Sequence, residues 1–168
     1  MNPKVKKAAV SGMFAAMIFV LTMFVKFPVA SGYVHFGDAL VYLCALYLGA
    51  PWALIAGALG EGLADIAGGY VMYAPATVIV KILIAIPFIA VRRKQSQFLS
   101  VRTALMTLLS GVISVGGYFI ADLVIDKAYA VVDIPGNLIQ ALGSAVIFIL
   151  LAAAFDKAKI REKFSFEA

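Results

Sequence analysis

Long apolar stretches, separated by short polar segments, set the limits on what this chain can fold into. They lie at about 8–25, 39–60, 74–91, 103–125 and 135–155. A helix needs about 20 apolar residues to cross the roughly 30 Å hydrocarbon core of a bilayer. Hydrophobic residues make up 64% of the chain and charged residues 14%, whereas soluble domains are about half apolar. The sequence therefore predicts one integral membrane domain over residues 1–168.

Basic residues form three clusters that flank the apolar stretches. Apart from Lys26, Lys81 and Lys127, the 14 lysines and arginines all belong to these clusters. Because short cytoplasmic loops retain lysine and arginine, all three clusters, and both chain termini with them, are predicted to be cytoplasmic. The net charge of +5 thus indicates orientation in the lipid bilayer and gives no reason to expect nucleic acid as a partner. The clusters are Lys4/Lys6/Lys7, Arg92/Arg93/Lys94/Arg102 and Lys157/Lys159/Arg161/Lys163.

The clusters also constrain the number of membrane crossings. An even number of crossings must separate the first cluster from the second, yet three apolar stretches lie between them. The stretch over 37–67 is too long for one comfortable span, and Gly49-Ala50-Pro51 interrupts it with a helix stop followed by a helix start. Dividing it there predicts an all-α membrane protein, a six-transmembrane-helix bundle with both termini cytoplasmic. Its helices are expected at about 8–25, 37–49, 51–66, 74–91, 103–125 and 135–155.

Polar and ionisable side chains recur inside these helices, where they are costly and mark functional sites. Residues four apart on one helix share a face, and such pairs occur on the third, fourth and fifth predicted helices. In the six-helix arrangement most of the polar residues lie in the outer half, which predicts a substrate pocket that opens to the exterior. The predicted substrate-binding residues are Tyr33, His35, Asp38, Glu61, Tyr73, Thr77, Lys81, Tyr118, Asp122, Asn137 and Gln140.

Several of these residues have a second interpretation. Asp38 and Asn137 lie near predicted helix N-termini, where a capping role is the alternative. For Lys81, the alternatives to direct ligand contact are a buried ion pair with Glu61 or Asp122 and a side chain that snorkels to the interface. The tyrosines would otherwise belong to an interfacial aromatic belt.

Small residues repeat at every fourth position on the first helix, at Ala8, Gly12 and Ala16. This spacing lets a second helix approach closely. It indicates either internal packing against the protein's own helices or a docking surface for another membrane protein.

The residue types present argue against metal and catalytic sites. A single cysteine, Cys44, excludes an intramolecular disulfide, and a single histidine, His35, leaves too few ligands for a zinc site. The sequence has neither a phosphate-binding glycine loop with a lysine nor a recognisable hydrolase motif. We therefore expect no enzyme, no cofactor and no metal, and we expect that the chain does not hydrolyse ATP itself.

Three segments resemble a known family in their order and spacing. They are the small-residue stripe, residues 32–38 (Gly-Tyr-Val-His-Phe-Gly-Asp) and residues 73–77 (Tyr-Ala-Pro-Ala-Thr) followed by Lys81. These segments are similar to those of the substrate-binding S components of energy-coupling factor (ECF) transporters, an ABC-type class. The branch they resemble most is the one for riboflavin, hydroxymethylpyrimidine or pyridoxine, and the resemblance extends over essentially the whole chain.

This resemblance implies a subunit that captures a small heterocyclic vitamin or vitamin precursor from outside a prokaryotic plasma membrane. The segment at about 27–36 would act as a lid over the pocket. Ala8, Gly12 and Ala16 would dock onto a transmembrane coupling (T) subunit that carries two cytosolic ATPases. Members of this family that bind thiamine use tryptophan-rich pockets. The resemblance therefore disfavours thiamine, because the single tryptophan, Trp52, lies at the predicted cytoplasmic hairpin.

Two other functions are compatible with the sequence. A stand-alone transporter coupled to protons or cations would use Asp38, Glu61, Asp65 and Asp122 as an ion relay. A structural membrane subunit would bind no small molecule.

Overall fold

Eight helices and one two-stranded hairpin make up the computed structural model, which describes residues 2–29, 32–92 and 97–163. Arg93 and Lys94 of the second basic cluster, and positions 30 and 31 of the predicted lid, lie outside the described residues. The strands are β1 (Lys26–Pro28) and β2 (Tyr33–His35). The helices are α1 (Pro3–Phe24), α2 (Asp38–Tyr47), α3 (Trp52–Ala67), α4 (Ala74–Arg92), α5 (Val101–Ile125), α6 (Tyr129–Val132), α7 (Ile134–Lys157) and α8 (Ile160–Lys163).

Local capping signals explain where several helices begin. The side chain of Asn2 accepts a hydrogen bond from the backbone N–H of Lys4 at 2.9 Å, and a proline follows it at the first helical position. Ser100 and Thr103 form a reciprocal capping box at the start of α5. Each motif satisfies backbone N–H groups that the first helical turn leaves without a partner.

The long helices are apolar on their outer faces and polar on their buried faces. On α5, Leu108 and Val112 are 59% and 71% exposed, whereas Ser110 and Ser114 are buried. A soluble protein places such residues the other way round. Within the described residues, four helical segments are long and apolar enough to cross a membrane: α1, α4, α5 and the stretch Tyr129–Lys157. The chain is thus a multi-pass membrane protein.

The helices α2 and α3 lie on either side of the predicted Gly-Ala-Pro break. Gly49 adopts a φ of +72°, a left-handed conformation that glycine takes without steric penalty. With 10 and 16 residues, α2 and α3 extend about 15 Å and 24 Å at 1.5 Å per residue. Neither reaches the roughly 30 Å of a bilayer core, so the count of six complete crossings stays a prediction.

The short helix α2 occupies the centre of the bundle. All ten of its residues are buried, and α1, α3, α4 and α7 pack around it. A helix that does not span the bilayer is tolerated at membrane depth when protein covers it. Helix α2 is therefore a core element with no surface for lipid.

The six longer helices, α1 to α5 and α7, alternate in direction in their order along the chain. The helices α1 and α3 run parallel, since Ser11 Oγ donates to the carbonyl of Trp52 at 2.8 Å near their starts and Ile18 packs against Gly60 further along. The helices α2, α4 and α7 run the opposite way, and α5 runs with α1 and α3. Both ends of the described chain consequently lie at the same end of the bundle.

Two arginines donate hydrogen bonds to backbone carbonyls at the C-terminal end of α2. Arg92 donates from Nε and Nη2 to the carbonyl of Tyr47 at 3.3 Å and 3.1 Å, and Arg161 Nη2 donates to the carbonyl of Leu46 at 3.1 Å. The last carbonyls of a helix lack intrahelical partners and carry a partial negative charge. We call this end of the bundle the basic end; its cytoplasmic location stays a prediction.

A β-hairpin joins α1 to α2, a feature that the all-α prediction missed. Its strands pair in antiparallel register, with Lys26 opposite His35 and Phe27 opposite Val34. The chain must reverse direction between α1 and α2, and Pro28 cannot continue a helix because it lacks an N–H. Short antiparallel strands make this reversal while still pairing their own backbone groups.

We expect Gly60→Ala to destabilise the protein by about 1–3 kcal/mol, as overpacking of a tight contact does. A Cβ at Gly60 would lie 2.8 Å from the backbone oxygen of Ala15 and 2.7 Å from a methyl group of Ile18. Gly116→Ala is the matched control, since a Cβ there meets nothing within 4 Å and alanine favours the helix. Thermal unfolding in detergent measures both, and equal midpoints would show that α1 and α3 are not closely packed at Gly60.

Candidate functional site

A cavity lies at the end of the bundle opposite the basic end. It is enclosed by the hairpin segment and by the pocket-side ends of α3, α4, α5 and α7, and its volume is about 60 Å³. This is well below the roughly 300–1,000 Å³ of pockets that hold a drug-sized ligand. Eight of the eleven predicted substrate-binding residues line it: Tyr33, His35, Tyr73, Thr77, Tyr118, Asp122, Asn137 and Gln140.

The wall between α4 and α5 consists of two facing pairs. Tyr73 Oη donates to Asp122 Oδ1 at 2.8 Å, and the hydroxyls of Thr77 and Tyr118 share a hydrogen bond at 3.1 Å. Tyr73, which directly precedes α4, and Thr77 are four residues apart and share one face, as do Tyr118 and Asp122 on α5. Because α4 and α5 run antiparallel, Tyr73 faces Asp122 and Thr77 faces Tyr118.

The hairpin closes the opposite wall. Tyr33 Oη donates to Asp65 Oδ1 of α3 at 2.6 Å, and the Tyr33 ring meets Tyr70 edge-on with centroids 5.0 Å apart. Lys26 Nζ lies 4.4 Å from the centroid of the Tyr33 ring, within the range of a cation–π contact. Tyr33 therefore links the hairpin to α3 across the mouth of the cavity.

Three predicted substrate-binding residues, Asp38, Glu61 and Lys81, do not line the cavity. Lys81 Nζ lies 2.6 Å from Asp38 Oδ1 and 3.0 Å from Glu61 Oε2, and all three side chains are fully buried. Of the interpretations considered for Lys81, the structure contains the buried ion pair with Glu61. It adds Asp38 as a second partner, because α2 begins between α3 and α4 and its first residue is Asp38. We call Asp38, Glu61 and Lys81 the buried charge cluster.

Gln140 and His35 connect the buried charge cluster to the cavity. Gln140 Nε2 donates to Asp38 Oδ2 at 3.1 Å, and Gln140 Oε1 accepts from the backbone N–H of His35 at 3.2 Å. His35 Nε2 lies 3.3 Å from Glu61 Oε2. These two residues thus form the floor of the cavity, with the ion pairs directly behind them.

His35 is neutral in this arrangement. Burial lowers the pKa of its imidazole to about 3. Its Nδ1 accepts a hydrogen bond from the backbone N–H of Gly37 at 3.1 Å, so the hydrogen-bond network assigns the proton to Nε2, which faces Glu61. The cluster then holds two carboxyl groups against one ammonium, and neither oxygen of Glu61 receives a hydrogen bond of good geometry.

Five lining residues were absent from the predicted set. Asp65 is four residues after Glu61, and the shared helix face was recognisable. Because α3 runs toward the cavity, Asp65 reaches the lining, while Glu61 lies one turn earlier, behind the floor of the cavity. The remaining four lining residues come from the tip of the hairpin and from the connections between helices. No sequence periodicity reveals where these segments lie. The five are Val29, Gly32, Asp65, Tyr70 and Asp133.

The small-residue stripe faces away from the bundle. Ala8, Gly12 and Ala16 are exposed, and a Cβ at Gly12 would meet nothing within 4 Å. Helix α1 packs inward through a different face, which includes Phe14 and Ile18. Internal packing, one of the two interpretations of the stripe, is not what the structure shows.

No group of three or more His, Cys, Asp and Glu side chains in residues 2–29, 32–92 and 97–163 is arranged to hold a metal ion. The functional groups that line the cavity are instead aromatic rings, carboxylates, hydroxyls and amides. Such a lining binds a small organic molecule through stacking and hydrogen bonds.

Comparison with known proteins identifies similar chains. The family model described as the S component of ECF-type riboflavin transporters matches residues 2–157. A protein of Pyrococcus woesei, described as an uncharacterized protein in the gap 3′ region, is 29% identical over 131 residues, which cover 76% of this chain and 86% of that protein. No solved structure matches the chain significantly.

We expect Lys81→Met to lower the free energy of unfolding by about 3–5 kcal/mol, because it leaves two carboxylates buried without their cation. Lys127→Met is the matched control, since Lys127 is exposed. Thermal unfolding in detergent measures both. Adding Asp38→Asn and Glu61→Gln to Lys81→Met should recover part of the loss. If Lys81→Met and Lys127→Met unfold at the same temperature, the ion pairs contribute little to stability.

Proposed function

Since the chain belongs to the family of S components of ECF-type riboflavin transporters, we propose that it captures a small heterocyclic vitamin or vitamin precursor from outside the cell. The vitamin would be of the riboflavin, hydroxymethylpyrimidine or pyridoxine class. As an S component the chain is a substrate-binding subunit of a transporter and not an enzyme. The proposed partners are a transmembrane coupling subunit and two cytosolic ATPases, which would supply the energy for uptake.

The lining of the cavity is the observation that carries this proposal. Four tyrosines surround it, and Asn137 and Gln140 contribute amides from α7. Aromatic faces stack on flat rings, and a few convergent polar groups fix the orientation of a small ligand. A planar heterocycle with polar substituents fits both features. The four tyrosines are Tyr33, Tyr70, Tyr73 and Tyr118.

The hairpin is the proposed lid. Phe36 packs directly against Gly143 of α7, where a Cβ would overlap its ring, and Val29 lies 3.1 Å from where a Cβ at Gly136 would be. The hydrogen bond from Tyr33 to Asp65 joins the other side of the hairpin to α3. Val29, Gly32 and Tyr33 of this segment line the cavity, which supports ligand entry at this point.

The proposed orientation follows from the two ends of the bundle. The basic end carries Arg92, Arg161 and the start of α1, and the positive-inside rule assigns it to the cytoplasm. The cavity then faces the exterior. The exposed stripe on α1 would dock onto the coupling subunit, because small residues permit close contact between helices.

We expect one member of a vitamin panel to raise the melting temperature of the purified protein by several degrees, as saturating ligand does. Vesicles that contain this chain alone should not accumulate that vitamin, because no ATPase is present to drive uptake. Proton-driven accumulation by the chain alone would favour a stand-alone transporter. A panel in which nothing shifts the melting temperature would favour a structural subunit.

Gly12→Leu should abolish co-purification with the coupling subunit and leave vitamin affinity unchanged within about twofold, because added bulk blocks close helix approach. The open space around Gly12 means that the isolated protein accommodates the change. Gly116→Leu on α5 makes the same substitution in open space elsewhere and should assemble normally. If Gly12→Leu still assembles, the docking surface lies elsewhere.

A further inference from the structure

The end of the bundle that holds the cavity is apolar on its outside, in contrast to the basic end. Three connections meet there: the hairpin, the α3–α4 connection and the segment between α5 and α7. Each carries a large apolar side chain that is more than half exposed, namely Phe27 (54%), Met72 (70%) and Val131 (68%). Among the described residues of these connections, only Asp126 and Lys127 are both charged and exposed. We call the three exposed side chains the apolar tips, since exposed apolar patches mark contacts with membranes or partners.

The apolar tips continue the lipid-facing surface of the helices beside them. Phe24, at the end of α1, is 72% exposed and lies just before Phe27. On α4, Ile79 is 59% exposed, and the exposed residue between it and Met72 is the apolar Pro75. Because the outer faces of these helices contact hydrocarbon in a multi-pass membrane protein, lipid is the partner that a surface continuous with them fits.

The length of α4 places Met72 at the edge of the hydrocarbon core. The 19 residues of α4 extend about 29 Å at 1.5 Å per residue, and the core is about 30 Å thick. Arg92 ends this helix, and a guanidinium has to stay at a polar boundary. The start of α4 therefore reaches the opposite boundary, and Met72 lies two residues before it. Any tilt of the helix would place Met72 deeper.

The mouth of the cavity lies at the same level as the apolar tips. Tyr70 and Tyr73, which line the cavity, stand on either side of Met72 in the sequence, and Asp133 lines it two residues after Val131. Tyrosine is enriched where the bilayer meets water. Two interpretations of the tyrosines, cavity lining and interfacial aromatic belt, therefore hold for the same residues.

We propose that the apolar tips insert into the lipid bilayer, so that the mouth of the cavity opens at the level of the lipid headgroups and a ligand enters from the membrane surface. The tips come from three connections around the mouth. A protein that covered all three would also close the mouth between them, whereas fluid lipid covers the tips and leaves the mouth open. The inference concerns where the mouth lies and holds whether or not a vitamin binds.

Spin labels attached at the apolar tips measure their depth in a bilayer. Met72→Cys and Val131→Cys, each in the full-length protein in phosphatidylcholine vesicles, carry a nitroxide at an exposed position that the fold tolerates. The native Cys44 is fully buried, and the unmodified protein measures its background labelling. Oxygen concentrates in lipid and nickel(II) ethylenediaminediacetate stays in water, so the ratio of their collision rates with the nitroxide reports depth.

Two further positions calibrate the measurement. Asp126→Cys is the matched control for water, since Asp126 is exposed at the same end of the bundle. Leu108→Cys is the reference for lipid, since Leu108 is 59% exposed in the middle of α5. We expect the oxygen-to-nickel ratio at both tips to exceed that at Asp126→Cys by at least about threefold, because apolar side chains at a membrane surface lie about 5–10 Å into the boundary between headgroups and acyl chains.

The outcome separates this inference from the proposed function. Ratios at the two tips that stay below this threshold would place the tips in water and overturn lipid insertion, while vitamin capture would stand. If the ratios exceed the threshold and no vitamin in the panel raises the melting temperature, lipid insertion stands and vitamin capture fails.

Discussion

The buried charge cluster is the interaction on which the rest of the architecture depends. Lys81 lies between Asp38 and Glu61 with no exposure to solvent, in surroundings built from apolar helix faces. An ammonium in such a place is stable only when carboxylates stay close to it. These two contacts therefore hold α2, α3 and α4 in a fixed relation, and they lie directly behind the floor of the cavity.

Helix α2 is too short to span the bilayer, yet it forms the core of the helix bundle. Its ten residues are all buried, so its length does not have to match the bilayer. Asp38 begins it at the buried charge cluster, and Arg92 and Arg161 contact its last carbonyls. Negative charge at the N-terminus and positive charge at the C-terminus both suit the helix dipole. Helix α2 thus links the floor of the cavity to the basic end through a continuous stretch of hydrogen-bonded backbone.

The cavity combines aromatic surface with carboxylates that already have tyrosine partners. Each pair joins two elements: Tyr33 connects the hairpin to α3, and Tyr73 connects the start of α4 to α5. These bonds hold the walls in place and engage hydroxyl donors. The lining consequently offers aromatic faces and fixed polar groups to a ligand, which supports the proposed capture of a flat heterocycle.

The sequence by itself was sufficient to identify the class of protein. Apolar stretches of spanning length indicated a membrane protein, and three short segments identified the S-component family, which the match over residues 2–157 confirms. Helical spacing placed Tyr73 with Thr77 and Tyr118 with Asp122, and these residues do meet across the cavity. Periodicity succeeds here because residues four apart share a face wherever the helix lies.

Only the tertiary structure separated the residues that line the cavity from those behind it. Lys81 and Glu61 keep the four-residue spacing of the lining residues Thr77 and Asp65, yet they form an ion pair behind the floor of the cavity. Asp38 joins that pair because α2 is short and central. The hairpin, and Tyr70 and Asp133 in the connections between helices, left no periodic signal at all. Spacing along one helix reports which residues share a face, but depth within a bundle depends on how several helices pack, and that information is held in no single segment.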